Sequence, residues 1–128
     1  MNLIVKKENN IIYTNDGHWL HPLFDLMDFL KEKQISSQGV SIDDKLIGRG
    51  AAVLIATMNI TKCHGRILSR KAIPILKQYK IEYTYDKLVE TLQCQTEEAL
   101  TDSMSLEEAY NNLINRAGRN KLPKIELL

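Results

Sequence analysis

Two segments of this chain place chemistry-bearing residues where strands give way to helices. Asp44-Lys45-Leu46-Ile47-Gly48-Arg49-Gly50 runs from an alternating strand pattern into an apolar helix pattern. Further along, Ser69-Arg70-Lys71-Ala72 makes the same transition. The first N–H groups of a helix lack intrahelical partners, and the helix dipole adds partial positive charge there, so a helix start favours an anion. Two glycines at such a start let a ligand or another backbone approach closely. Ser69 suits a helix cap. Arg70 and Lys71 in a first turn oppose the dipole unless an anion offsets them. The ligand-binding set read from these segments is Asp44, Lys45, Gly48, Arg49, Gly50, Ser69, Arg70 and Lys71, suited to a phosphate, a carboxylate or a nucleotide. The plainer alternative is a tight strand-to-helix turn, a Ser cap and solvated cations.

The other reactive side chains carry less. Cys63 and His64 are adjacent on a strand pattern, so they point to opposite faces and do not readily share a metal ion. Zinc needs three or four ligands, and besides Cys94 only His18 and His21 remain. No metal is expected; Cys63 reads as a core residue and His64 as a partly exposed strand residue. Trp19, between His18 and His21, reads as a packing residue at a helix entry, with stacking on a base as the alternative. Cys94 has no obvious His partner to activate it. Glu97-Glu98 and Glu107-Glu108 read as first-turn or solvated carboxylates. Neither a Ser-His-Asp signature nor a phosphate loop of the Walker type is present. No catalytic residue and no cofactor are assigned.

These residues need a scaffold, and the bulk composition allows one. A chain of 128 residues is long enough for one domain with a core and too short for two ordinary ones. With 44% hydrophobic and 26% charged residues, wholesale disorder is not expected. Lys and Arg total 17 against 16 Asp and Glu, so there is no global field to draw in nucleic acid or a membrane. The two cysteines are too few for a disulfide scaffold, and no apolar run reaches the length of a membrane span. The start of the chain reads as a strand rather than a signal peptide. A cytoplasmic protein with reduced thiols is expected.

Leu3 to Lys7 and Ile11 to Asn15 read as a hairpin, with Asn9-Asn10 suited to a tight turn of positive φ. His21-Pro22 opens a helix whose stripe is Leu20, Leu23, Phe24, Met27 and Leu30. Val40 to Ile47 is a strand and Gly48-Arg49-Gly50 a turn. Ala51 to Met58 is a helix apolar almost all round. Thr61 to Leu68, Arg70 to Tyr79 and Ile81 to Tyr85 read as strand, helix and strand, and Asp86 to Leu92 as a short helix. Ser105-Leu106-Glu107-Glu108 has the capping-box pattern for a last helix through Arg116. Residues 117–128 form a basic, then apolar tail after a single domain of residues 1–116. Short turns demand antiparallel pairing and helical crossovers favour parallel pairing. The fold class is therefore α/β: a mixed five-stranded sheet with helices on both faces, in three layers.

The element order, with Gly17, Pro22-Leu23, Asp44-Lys45-x-x-Gly48, Ala51-Ala52, Leu68-Ser69, Ala72 and Tyr85-Asp86-Lys87-Leu88-Val89, resembles the DUF1893 family. These are small bacterial proteins of unknown function with a cytidine-deaminase-like fold. The resemblance covers roughly residues 3–116 and implies the strand order 2-1-3-4-5. A zinc deaminase carries His-x-Glu at the first helix start and Pro-Cys-x-x-Cys at the second. Here Gly48 and Gly50 stand at the first, and Ser69 to Ala72 offers no thiolate. Many family members carry Met-Cys-Pro-x-Glu before the last helix; here the segment is Met104-Ser105-Leu106-Glu107-Glu108, without the thiol.

Three functions follow as expectations. The first is a non-catalytic binder of a small anionic or nucleotide-like ligand. The second is a metal-independent enzyme using the same pocket, with Asp44 or Lys45 as the acid–base group. The third is a structural or oligomerisation module, with a homodimer formed through the apolar helix or the apolar tail.

Overall fold

The computed structural model describes residues 2–92, 99–101 and 103–119. Strands β1 (Leu3–Lys7) and β2 (Asn10–Asn15) form the hairpin. Its turn residues Glu8 and Asn9 have φ of 53° and 68°, the paired positive values a two-residue hairpin turn requires. Glu8 thus takes the position expected of Asn10, which instead opens β2. Helix α1 (His21–Glu32) follows, with Pro22 in its first turn. Then come β3 (Val40–Ile47), α2 (Arg49–Thr57), β4 (Lys62–Ser69), a 3-10 turn (Arg70–Ala72), α3 (Ile73–Gln78), β5 (Glu82–Val89) and α4 (Leu106–Ala117).

The five strands form one mixed sheet in the order β2-β1-β3-β4-β5. β1 runs antiparallel to both β2 and β3, while β3, β4 and β5 run parallel. The α/β architecture with a mixed five-stranded sheet is the one expected from the pattern. The register carries Tyr13, Val5, Ile42, Cys63 and Tyr83 in one row across a face. Tyr13 meets Phe29 of α1 there, with ring centroids 4.8 Å apart. α2 packs against α1, α3 and α4, so every residue from Arg49 to Ala56 is buried. That crowding is why this helix carries almost no polar stripe.

Four details differ from the sequence expectations. Arg70 to Tyr79 is not one helix, because Pro74 has no N–H to donate to the carbonyl of Arg70; a 3-10 turn comes first and α3 starts at Ile73. Asp86 to Leu92 is not a helix: β5 stays paired with β4 as far as Ser69 opposite Val89, and ladder bonds override the local preference. Arg49 and Gly50 belong to the first turn of α2 rather than to a preceding loop. The register neighbours Thr14, Ile4, Asp43, His64 and Thr84 form a second row on the opposite sheet face, and among the described residues this row is polar apart from Ile4 and half-exposed to exposed rather than sealed beneath a helix. β5 is an edge strand with no buried residue.

Candidate functional site

A cavity of about 280 Å³ opens where β3 ends and α2 begins. Its far wall is the Gly17–Pro22 segment between the hairpin and α1. Local chemistry fixes both walls. The Asn2 side-chain amide donates to the carbonyls of Asp16 at 3.1 Å and Gly17 at 3.0 Å. The Gly17 N–H donates to the Asn15 side-chain oxygen at 2.7 Å. A Cβ at Gly17 would lie 3.0 Å from that oxygen and 3.3 Å from Pro22 Cγ, so a side chain there would crowd the closure. On the other wall, the Lys45 N–H donates to the Asn2 carbonyl at 2.8 Å. α2 begins at Gly48 with no side-chain cap, and Gly48, Gly50 and Ala51 line the cavity.

Asp44 is the acidic residue of the lining. Burial pushes its carboxyl up to about 7, against the lowering effect of N–H groups donated by Leu46 and Lys45 and of the Arg66 charge; Asp43 raises it further. A carboxyl there exchanges a proton near neutrality. Trp19 lines the same cavity, is 43% exposed, and has φ of 57°. A bulky residue in the left-handed region is strained. Its ring is braced edge-on by His21 at 5.3 Å and by Phe24 at 6.5 Å. Trp19 is therefore both a packing residue and a wall of the cavity.

The structure separates the expected site residues. Asp44, Lys45, Gly48 and Gly50 line the cavity; Arg49, Ser69, Arg70 and Lys71 do not. Arg49 is buried on the other side of α2, where Nε donates to the Lys71 carbonyl at 3.1 Å and Nη1 to the Leu100 carbonyl at 2.8 Å. Ser69 is buried and accepts from the Lys71 N–H at 3.2 Å, the cap expected of it. Arg70 pairs with Glu90 at 2.6 Å on the surface. The second helix start is a 3-10 turn followed by a six-residue helix, and its first residues lie outside the cavity.

Sequence reasoning missed Asn2 and Arg66. Arg66 Nη2 donates to the Asn2 carbonyl at 2.9 Å and Nε to Asp43 at 3.2 Å. Its signal in the sequence is an Arg on the polar period of β4, beside the acid-bearing strand. His64, read as partly exposed, lies between Thr84 Oγ1 at 2.6 Å and Asp86 at 3.1 Å on the open sheet face. It does not line the cavity. Cys63 is buried as expected, and burial, with Asp44 nearby, pushes its thiol up to about 12, so it is no nucleophile at neutral pH. Among the described residues, no three His, Cys, Asp or Glu are grouped to hold a metal ion. Also among them, no helix is long and apolar enough to cross a membrane. Cys94, Glu97-Glu98 and residues 120–128 of the tail lie outside the described residues.

The family model described as a domain of unknown function, DUF1893, matches residues 1–116. The chain belongs to the DUF1893 family. A DUF1893 family protein from Thermotoga maritima has a similar solved structure: TM-score 0.76 at 19% identity, covering 90% of this chain and 80% of that one. At that identity the likeness speaks to the fold alone. No curated protein matches the chain. In this DUF1893 chain, Ser105 is the N-cap of α4: its Oγ accepts from the Glu108 N–H at 3.1 Å, and Glu108 accepts from the Ser105 N–H at 3.2 Å.

Proposed function

We propose that this DUF1893 chain binds a small anionic, nucleotide-like ligand in the cavity between β3, α2 and the Gly17–Pro22 segment. The observation that carries the reading is the start of α2. It is a nine-residue helix without a side-chain cap, and it opens into the cavity beside Lys45 and Trp19. A helix start supplies N–H donors and partial positive charge, Lys45 a full one, and Trp19 a face for a flat ring. The volume falls just below the usual range for small-molecule sites, roughly 300–1,000 Å³, so one ring system suits it better than an extended cofactor.

We also read the scaffold as of deaminase type, from the mixed order β2-β1-β3-β4-β5 and the crossovers after β3 and β4. The zinc of that chemistry does not fit this chain, since Gly48, Gly50 and the Ser69–Ala72 segment bring no imidazole or thiolate. A second reading, a metal-independent enzyme, is favoured by the place of Asp44 in the cavity wall, where burial pushes its carboxyl up to about 7.

Titration with orthophosphate and mononucleotides, followed residue by residue by NMR, tests the binding reading. Shifts should gather at Gly48 to Ala51 and at Trp19, and Lys45→Ala should weaken binding several-fold. Shifts gathered elsewhere, or none at millimolar ligand, would sink it. Turnover of any ligand that binds separates the enzyme from the binder.

A further inference from the structure

We propose that Asp44 selects the ligand of this cavity, its carboxylate accepting two adjacent N–H groups from the edge of a flat nitrogen heterocycle held against Trp19. The chemical class is a 2-amino-oxo heterocycle, such as guanine or a pterin. The proposal rests on the cavity being the ligand site.

The first ground is the composition of the wall. Much of it is apolar, from Trp19, Leu20, Pro22 and Leu46. A polar edge entering the cavity must find its partner among few groups, and Asp44 is the acidic one. The Asn2 amide is already committed to the Asp16 and Gly17 carbonyls.

The second ground is acceptor arithmetic. An ionised carboxylate has about four acceptor positions. Backbone N–H groups of Leu46 and Lys45 favour its ionised form, and the Lys45 N–H also donates to the Asn2 carbonyl. At least two acceptor positions remain. Two adjacent N–H donors fill them with the paired geometry that makes charge-assisted contacts strong and selective. A ring edge pairing one donor with one acceptor, as in adenine, would leave a lone pair facing a lone pair.

The third ground is proton balance. Burial pushes the Asp44 carboxyl up to about 7, so the free protein holds it partly protonated near neutral pH. A ligand bringing two donors needs it ionised, so binding releases the proton to solvent, and affinity rises as pH rises through 7. An edge that needs the protonated acid would take a proton up instead. The groups that bear on Asp44 are Asp43 and Lys45 on its own strand, Arg66 and Cys63 on β4, and His18 across the cavity. Arg66 is fixed in charge, Cys63 stays protonated, and His18 is controlled by a His18→Gln variant.

The test is calorimetry on the full chain with GMP, AMP and ribose 5-phosphate, in buffers of different ionisation heat at pH 6 to 8.5. GMP should bind roughly ten- to hundredfold more tightly than AMP, the discrimination expected of a paired contact. More proton should be released per GMP than per AMP near pH 7, the phosphate common to both cancelling in the difference, in the parent and in His18→Gln alike. In Asp44→Asn the preference for GMP over AMP should vanish. Equal binding of GMP and AMP, no greater proton release with GMP, or an unchanged preference in Asp44→Asn would overturn the selection while leaving the binding site standing. Failure of all three ligands to bind would remove both readings. The proton count uses the parent protein, so it decides the matter even if Asp44→Asn misfolds.

Discussion

The Arg49 guanidinium donates to the Leu100 carbonyl at 2.8 Å, across 51 residues of chain. This contact ties the start of α2 to the segment leading into α4, and makes Arg49 part of the scaffold behind the cavity.

Arg49→Ala takes a donor from the buried Leu100 carbonyl and from the part-buried Lys71 carbonyl. Hydrogen bonds to charged groups contribute roughly 1.5–3 kcal/mol each, and unpaired buried acceptors cost similar amounts. The expected loss is about 3 kcal/mol in urea unfolding. Arg49→Lys has one point charge in place of a planar fork, and should lose about half as much. Phosphate affinity, corrected for the folded fraction, should be unchanged.

Asp44 sets a pH dependence of stability. Its carboxyl titrates at the ordinary 3.8 when unfolded and at about 7 when folded. Between these values the folded chain holds a proton that the unfolded chain has lost, so stability falls as pH rises through this window and levels off above it. Asn cannot ionise. Asp44→Asn should exceed the parent in stability at pH 8, by roughly 2 kcal/mol once solvent screening is allowed for. The gap should close toward pH 4. A gap that widens on acidification would contradict the assignment.

Gly65 faces Ile47 so closely that an added Cβ would lie 3.2 Å from Ile47 Cβ. Ile47 is fully buried and has little room to give. Gly65→Ala should cost about 1–2 kcal/mol by thermal unfolding. Combining it with Ile47→Ala should cost less than the sum of the two single changes, because the smaller side chain relieves the overlap.

The reciprocal bonds of Ser105 and Glu108 start α4. Ser105→Ala should lower stability by about 1 kcal/mol. Hydrogen exchange should show the loss concentrated in the first turn of α4, and Ser105→Asp should restore most of it.

The pairing directions of the strands and the cavity's near wall are legible in short-range signals, while the strand order follows from the family resemblance. Alternation marks β3 and β4, the helical crossovers make them parallel, and the strand-to-helix transition at Gly48 marks the cavity's edge. The destination of Arg49 is not legible. Its acceptors are backbone carbonyls that any sequence supplies, and Leu100 reaches it only through tertiary packing. Pro74, by contrast, was a local signal for the break before α3, and the apolar run around it obscured it. The length of β5 depended on its pairing with β4, which a window over Asp86 to Leu92 does not contain. The Gly17–Trp19 wall was visible as residues but not as a neighbour of Asp44, because antiparallel pairing of β1 with β3 brings them together.

The edge position of β5 has a consequence for solubility. An outermost strand offers unpaired N–H and C=O groups to any passing chain, the first step toward edge-to-edge aggregation. Among the described residues β5 is eight residues long and includes exposed Tyr85. Glu82, Asp86 and Lys87 are also exposed along it. An incoming strand would have to strip water from these charges, and an in-register copy would set like against like. Replacing them with Thr would leave the monomer's interior intact and turn its rim into a template for assembly.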